Sequence, residues 1–191
     1  NIGVSYSPKT KMSKLSDYEG FFADGGNFDI PENYVLGFSY QPNSSWLFAM
    51  DYQRINYADV PSIGNPGANM LTGAPFGSAA GAGFGWKNIN VIKLGAEWKY
   101  SNNLTLRAGL NVSENPISNS EVSFNRLAPG VMTTHYTLGA TYAVTPVSEL
   151  TFAYMHAPEN SVTAAGTTQV GGTETIRMKQ QSFGVQYAWK F

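Results

Sequence analysis

The sequence of 191 residues contains no cysteine, and only 13% of its residues are charged. The lack of cysteine excludes disulfides and thiolate metal sites. Soluble domains carry charge on about a quarter of their residues, so this chain is poorly suited to a surface surrounded by water. Its formal net charge of −1 provides no electrostatic basis for nucleic-acid binding. No apolar run reaches the roughly 18 residues that a membrane-spanning helix requires.

Histidine is scarce as well, with His135 and His156 as the only two. A serine hydrolase needs a Ser–His pair with an orienting partner, and a zinc site needs a cluster of ligands. Neither histidine lies in such a pattern, so we predict no enzymatic activity, no metal site and no cofactor. Loop carboxylates such as Asp24 and Asp29 could hold calcium, but a solvated loop is the simpler interpretation.

Aromatic residues, in contrast, make up 14% of the chain, and they recur at every second position. The last segment shows this most clearly, because apolar and small or polar residues alternate as Phe183, Gly184, Val185, Gln186, Tyr187, Ala188, Trp189, Lys190 and Phe191. Seven further alternating segments lie upstream, around residues 2–6, 34–40, 46–52, 92–100, 104–112, 136–144 and 150–154. This period predicts eight half-buried strands and an all-β fold without a helical domain.

Alternation alone does not separate a soluble sandwich from a transmembrane barrel. In a sandwich the apolar face is the core; in a barrel it meets lipid, and the polar face lines the lumen. Here the connections alternate between long (residues 11–31, 57–87, 114–130 and 158–174) and short (42–44, 101–103 and 145–148). Short periplasmic turns and long external loops are typical of outer-membrane barrels. We therefore predict one antiparallel transmembrane β-barrel domain over 1–191, in the outer membrane of a Gram-negative bacterium.

Aromatic residues near the strand ends support this interpretation. Barrels carry aromatic girdles at the membrane interfaces. The candidates for a girdle are Tyr40, Trp46, Trp98, Tyr100, Tyr187, Trp189 and Phe191. The aromatic C terminus resembles the assembly signal of outer-membrane barrels, so we expect the barrel assembly machinery to recognise the last strand. Outer-membrane lipid and lipopolysaccharide are the other expected partners of the surface.

The chain begins inside a strand pattern at Asn1-Ile2-Gly3-Val4, which suggests an incomplete N-terminal part. Several segments carry a resemblance: residues 106–111 (LRAGLN), 114–117 (ENPI), 120–125 (SEVSFN), 127–131 (LAPGV), 135–139 (HYTLG), 154–156 (YMH) and 187–191 (YAWKF). Together they resemble the outer-membrane family of long-chain fatty acid and aromatic-hydrocarbon transporters. The resemblance covers the whole chain and is strongest from Val91 onward.

This resemblance implies a fourteen-stranded barrel with an N-terminal hatch, of which the chain would supply the last eight strands. It implies passive uptake of a hydrophobic ligand, which docks on external loops, enters a lumen pocket and leaves sideways. The first long connection would correspond to an external docking loop, with Leu15, Tyr18, Phe21, Phe22 and Phe28 as candidate ligand contacts. The alternative for this loop is that it buries its own aromatic side chains. The Gly-rich second connection is expected to be a flexible lid or a poorly ordered loop, and we favour the latter.

The predicted lumen face offers Lys93, Glu97, Arg107, His135, Ala153 and Met155. A three-residue turn at 101–103 places Glu97 opposite Arg107, which favours an ion pair. Lys93 is the freer cation and the better candidate for a fatty-acid carboxylate, and Ala153 and Met155 could form an apolar floor. Two alternatives to a transporter remain. One is a closed eight-stranded structural or adhesive barrel, and the other is a barrel of the same fold with a scaffolding role.

Overall fold

The computed structural model of the chain describes residues 1–75, 77–164 and 172–190. Eight antiparallel strands form one sheet in sequence order. They are β1 (Ile2–Ser7), β2 (Asn33–Tyr40), β3 (Trp46–Ile55), β4 (Ile89–Lys99), β5 (Leu104–Ser113), β6 (Thr134–Thr145), β7 (Ser148–Thr163) and β8 (Thr175–Trp189). The predicted all-β antiparallel fold is confirmed. A closed eight-stranded barrel would require a β1–β8 ladder, and the described part of the chain contains none.

Helical structure within the described ranges consists of short turns in the long connections. Two have α-helical hydrogen bonding, α1 (Ala23–Gly26) and α2 (Pro61–Gly64). The 3-10 turns are Ser16–Tyr18, Tyr57–Asp59, Gly67–Leu71, Asn119–Glu121 and Phe124–Arg126. No helix among these residues has the length and apolar character needed to cross a membrane.

One face of the sheet is apolar and largely uncovered. Its residues include Ile2, Val4, Leu36, Phe38, Leu138 and Phe183, whose exposed fractions range from 53% to 78%. Soluble monomers rarely expose a contiguous apolar patch above a few hundred Å². This face therefore requires an apolar surrounding, as the lipid-facing wall of a barrel does.

The buried apolar residues lie at the opposite side, where the long connections fold over one end of the polar face. Ile117, Val122 and Val131 of the third long connection pack on Val162 of β7 and Ile176 of β8. Val122 and Val131 are fully buried. The core of this chain therefore lies between the loops and the strand ends. In the middle of the sheet, the apolar face is uncovered.

The short connections are tight turns held by polar side chains. In the β2–β3 turn, Asn43 Oδ1 accepts hydrogen bonds from the amides of Ser45 and Trp46 at 2.9 and 3.0 Å. In the β4–β5 turn, Ser101 Oγ accepts hydrogen bonds from the amides of Asn103 and Leu104. Such side-chain acceptors replace the backbone partners that a turn lacks. They also fix the register, which places Glu97 opposite Arg107 as predicted.

The last long connection is shorter than the sequence pattern suggested, because β7 continues through Pro158 to Thr163. Proline has no amide hydrogen and usually ends a strand or is confined to an edge or a bulge. Here the register of β7 against β8 shifts between Ala157 and Asn160, so Pro158 sits in a β-bulge. The expectation that the strand ended before Pro158 was wrong for this reason.

The Gly-rich second connection contains several buried residues. Val60 and Ser62 are fully buried, and Ala82 and Phe84 are buried as well. Gly83 lies directly on the carbonyl oxygens of Pro61, Asn65 and Ser62, where a Cβ atom would collide with them. Gly83 therefore allows close packing of backbone on backbone.

Candidate functional site

All six residues predicted to face the lumen lie on the polar face of the sheet. Lys93 on β4 is opposite Asn111 on β5, which is opposite His135 on β6. A second row contains Glu97, Arg107, Gly139 and Ala153. Met155 lies opposite Thr137, two positions from the Ala153 row. Because side chains alternate between faces, residues in these rows project to the same side.

The two rows differ in how their charges are paired. Arg107 Nε donates to Glu97 Oε2 at 2.8 Å, and Arg107 Nη1 donates to Thr141 Oγ1 at 2.7 Å. The two side chains are 45% and 28% exposed, so the pair contributes about 1 kcal/mol or less to stability. The guanidinium is already occupied by protein partners, which leaves it a poor candidate for a ligand carboxylate.

A cavity of about 340 Å³ lies between the polar face and the loops that cover its external end. Its apolar lining includes Trp86, Ile89, Val91, Pro116 and Met132, and its polar lining includes Gln53, Tyr57, Lys93, Asn111 and Ser113. An apolar cavity of about 150 Å³ is large enough to hold benzene. This cavity therefore has room for a monoaromatic ring or for part of an alkyl chain, with polar groups at one side.

Lys93 supplies the positive charge of this cavity. Its Nζ donates to Gln53 Oε1 at 2.9 Å. No carboxylate of the described residues lies within 4.0 Å of that nitrogen, although Asp51 is its register neighbour on β3. Among the described residues, Lys93 therefore has no ion pair of the kind that occupies Arg107. This agrees with the prediction that Lys93 is the freer cation.

Two polar atoms beside Lys93 are buried without a hydrogen-bond partner in the described part of the chain. They are Asn111 Oδ1, which belongs to the cavity lining, and His135 Nδ1 in the next strand. Buried polar atoms are usually satisfied, and an unsatisfied one costs about 1–3 kcal/mol. A water molecule or a ligand hydroxyl group would supply the donor that Asn111 Oδ1 lacks. The sequence analysis missed Asn111, whose only signal was its register position next to Lys93.

The roof of the cavity is Trp86, which a buried asparagine holds in place. Asn125 is fully buried, and its Oδ1 accepts a hydrogen bond from Trp86 Nε1 at 2.6 Å. Asn125 Nδ2 donates to the carbonyl oxygens of Phe84 and Glu121 at 2.6 and 2.8 Å. Glu121 Oε2 in turn accepts the amide hydrogen of Gly67 at 2.8 Å. These bonds lock the second and third long connections together above the sheet.

Tyr57 packs on the same tryptophan from the side. The two rings meet edge to face, with centroids 5.1 Å apart. Burial raises the pKa of the Tyr57 phenol above its ordinary value of 10.0, because the phenolate would lose its hydration. Tyr57 therefore stays neutral at physiological pH and offers the cavity a phenol hydroxyl group.

The predicted docking residues of the first long connection divide into two groups. The rings of Phe22 and Phe28 pack together with their centroids 4.6 Å apart, and they form a cluster with the ring of Phe84. This group corresponds to the alternative of a loop that buries its own aromatic rings. Leu15, Tyr18 and Phe21 are 44%, 60% and 41% exposed, and with Phe22 they line an open apolar groove of about 410 Å³.

The aromatic residues expected at the girdle lie on the apolar face, at the end with the short turns. Trp46 and Trp98 are register partners. Their rings stack with centroids 5.1 Å apart and an interplanar angle of 5°. Tyr100 meets Trp98 edge to face, and Tyr187 packs near Trp189. Tyr40 pairs with Phe48 on the same face. The remaining candidate, Phe191, lies outside the described residues.

Two larger hollows, of about 580 and 680 Å³, open on the apolar face. Their floor includes Ala96, Ala108 and Ala140, and taller side chains such as Trp98 and Phe152 form their rims. They arise because alanine projects less far from the sheet than its aromatic neighbours. Their position on the lipid-facing side separates them from the cavity on the polar face.

The two histidines lie far from any arrangement that would support catalysis. His135 is on the polar face opposite Asn111, and His156 is on the apolar face opposite Tyr136 and Gln181. In the described part of the chain, no three His, Asp or Glu side chains come together in a way that could hold a metal ion.

An antiparallel sheet with one uncovered apolar face, an aromatic end and long connections over its polar face defines the wall of an outer-membrane barrel. The family model described as "Outer membrane protein transport protein (OMPP1/FadL/TodX)" matches residues 6–191. The chain belongs to this family, whose members are outer-membrane transport channels of Gram-negative bacteria and not enzymes. The predicted family, cellular location and absence of an enzymatic role are thereby confirmed.

Solved structures with the same fold include channels for aromatic hydrocarbons. The toluene transporter TodX of P. putida has a TM-score of 0.65 and 20% identity, and the match covers 100% of this chain and 45% of that chain. A FadL homologue of Pseudomonas aeruginosa has a TM-score of 0.63 and 15% identity, over 98% of this chain and 48% of that chain. The toluene transporter TbuX of Ralstonia pickettii has a TM-score of 0.52 and 19% identity, over 85% of this chain and 34% of that chain. At such identities the likeness concerns the fold, and the chain spans less than half of each relative.

Among curated proteins, a "Probable cytosol aminopeptidase" of Neisseria meningitidis is 32% identical over 81 residues. This match covers 39% of the chain and 17% of the other protein. So short a match does not establish a relationship between the two proteins, and it leaves the family membership unchanged.

Proposed function

We propose that this chain forms part of an outer-membrane channel for the passive uptake of hydrophobic compounds, either long-chain fatty acids or aromatic hydrocarbons. The observation that carries the proposal is the cavity beneath the loops, which combines an apolar lining with Lys93, a cation that has no ion-pair partner among the described residues. Membership of the transport family and the likeness to toluene transporters support it.

The chemistry of the cavity favours an amphipathic ligand over a plain hydrocarbon. Apolar side chains such as Trp86 and Met132 would bind an alkyl chain or a ring through burial of apolar surface. Lys93 would bind a carboxylate through a charge-assisted hydrogen bond, which is stronger than a neutral one. We therefore place long-chain fatty acids first and monoaromatic hydrocarbons second.

The open groove of the first long connection would be the initial docking site. Leu15, Tyr18 and Phe21 present an exposed apolar surface there, and such surfaces mark interaction sites. Phe21 stacks on Phe124 of the third long connection with centroids 5.9 Å apart. Phe124 in turn lies 5.5 Å from Phe84, in the segment that leads to Trp86. A series of aromatic contacts thus leads from the groove to Phe84, two residues before Trp86, and we propose this as the entry route.

We also propose that the chain supplies the C-terminal eight strands of a larger barrel with an N-terminal hatch. The support is that solved relatives with the same fold are more than twice as long as the chain. The last strand, with outward aromatics at Tyr187 and Trp189, would be the segment that the barrel assembly machinery recognises. Lipopolysaccharide is the partner that we propose for the external end of the wall.

A binding experiment with two ligand types tests the role of Lys93. In the full-length polypeptide that carries this chain, Lys93→Ala should weaken binding of a long-chain fatty acid by about 10- to 100-fold, as loss of a charged hydrogen bond worth about 1.5–3 kcal/mol predicts. Toluene binding should change by less than about threefold, because toluene has no group for the ammonium. Both affinities can be measured by displacement of a fluorescent fatty acid.

Three further variants make the result specific. Lys93→Arg should restore most of the fatty-acid affinity, and Lys99→Ala, at the other end of the same face of β4, should leave both affinities unchanged. Phe21→Ala should slow the binding of both ligands equally if the groove is the docking site. An equal loss for fatty acid and toluene in Lys93→Ala would contradict the carboxylate role. Failure of the wild-type polypeptide to bind either ligand would contradict the proposed function itself.

A further inference from the structure

Two cations stand on the lipid-facing side of the last strand, above its apolar part. Along β8, Phe183, Val185, Tyr187 and Trp189 face outward, and the same alternation continues through Gln181 to Lys179 and Arg177. The intervening residues Ile176 and Met178 face the opposite side, where they pack in the loop core with Val162. The alternation in β8 is uninterrupted, so Lys179 and Arg177 must share the face of Phe183.

The height of these cations follows from strand geometry. Trp189 belongs to the aromatic end, and Lys179 lies ten positions before it on the same strand. Ten residues at about 3.3 Å each span about 33 Å, and a tilt of about 40° reduces this to about 25 Å across the membrane. That distance equals the height of the apolar band of an outer-membrane barrel, about 25 Å. Lys179 therefore lies at the opposite interface, and Arg177 lies about 5 Å further out.

Both side chains are exposed, and the described residues provide no partner for either. Among the described residues, neither Lys179 nor Arg177 has a side-chain hydrogen bond or an ion pair within 4.0 Å. Arg177 is opposite Ser161, and Glu159, which lies in the bulge, forms no ion pair with the described residues. Cations at a membrane interface attract the anionic groups of the surrounding lipid.

We infer that Lys179 and Arg177 form a binding site for the phosphate groups of an outer-leaflet glycolipid, whose acyl chains cover Phe183 and Val185 below. The two cations are two positions apart on one face, so their backbones are about 7 Å apart and their long side chains can converge on one phosphate. Guanidinium and ammonium groups both bind phosphate oxygens. The orientation with long connections outside places this site in the outer leaflet. The inference rests on lipopolysaccharide as the partner proposed above for the external end of the wall, and it is independent of the ligand that the channel carries.

The test uses the full-length polypeptide in phosphatidylethanolamine nanodiscs and compares two probes. One is lipid A with both phosphates, and the other is the same lipid A after enzymatic removal of its phosphates. Each cation strengthens binding to an anionic lipid surface. R177Q/K179Q lacks both cations and should therefore bind phosphorylated lipid A about 30-fold more weakly than wild type. Binding of the dephosphorylated probe should be weak and equal for both proteins. Native mass spectrometry counts the bound lipid directly.

The matched control is K9Q/K11Q, which removes two lysines with the same spacing from the first long connection. It should bind phosphorylated lipid A as wild type does, and R177K/K179R, which keeps both charges, should do so too. Heat-modifiable gel mobility checks that every variant is folded. Equal binding of the two probes to wild type, unchanged binding in R177Q/K179Q, or an equal loss in K9Q/K11Q would each overturn the inference.

Discussion

Replacement of Asn125 by alanine tests whether the loop roof depends on one buried side chain. The substitution removes three hydrogen bonds, to Trp86 Nε1, Phe84 O and Glu121 O, which have lengths of 2.6, 2.6 and 2.8 Å. A buried polar group left without its partner costs about 1–3 kcal/mol. Partial relaxation of the loops and entry of water lower the total cost of the three unpaired groups. We therefore expect the local opening free energy of the roof to fall by about 3–5 kcal/mol.

Hydrogen exchange measures this opening free energy directly. A loss of about 3 kcal/mol corresponds to roughly 100-fold faster exchange, at 1.4 kcal/mol for each factor of ten. The informative amides are those of Gly85 and Trp86, which donate to Asn65 and Ile63 within the locked loops. Amides in the middle of β4 and β5 should exchange as in wild type, because the sheet ladders do not involve Asn125.

Asn69→Ala is the matched control for this experiment. The Asn69 side chain donates one hydrogen bond, to Ala80 O at 2.9 Å, and this bond is exposed. Water replaces an exposed partner, so the cost should stay below about 1 kcal/mol, or about fivefold in exchange rate. If Asn125→Ala and Asn69→Ala accelerate exchange at Gly85 and Trp86 by similar factors, the reasoning about the buried lock is wrong.

Two further predictions concern the same loops. Gly85 has a φ of +66°, and a Cβ atom there would collide with Glu121, whereas Gly73 has a φ of +82° with no atom within 4 Å of that position. Gly85→Ala should therefore lower the loop stability by at least about 1–2 kcal/mol more than Gly73→Ala, which introduces only the backbone strain. Limited proteolysis measures the difference, and equal effects of the two substitutions would contradict the packing argument. The pKa of Tyr57 is raised above 10.0 in the folded protein, so its stabilising contribution is fully present below pH 10 and is lost as the pH rises through the folded pKa. Trp86 fluorescence should therefore change above pH 10 in wild type, and the same titration of Tyr57→Phe should lack this transition; a transition in both proteins would point to another group.

The sequence alone predicted the features that follow from local geometry. Side chains alternate with a period of two in any strand, so the apolar and polar faces could be assigned from the order of residues. The three-residue turn at 101–103 then determined which residues of β4 and β5 are opposite, and the Glu97–Arg107 pair followed. The position of Lys93, Met155 and the tryptophans on their faces required no further information.

The cavity, its roof and its open polar groups were decided by the tertiary structure. Trp86 and Asn125 are 39 positions apart, and Glu121 and Gly67 are 54 positions apart, in segments without periodicity. Contacts of this kind depend on which loops meet above the sheet, and no local pattern encodes that meeting. The bulge at Pro158 is similar, because only pairing with β8 shows that the strand continues beyond the proline. Period and turn length are properties of the chain itself, whereas the packing of loops is a property of the assembled molecule. The wall and its lumen-facing Lys93 could therefore be predicted from the sequence, and the loop roof of the site could not.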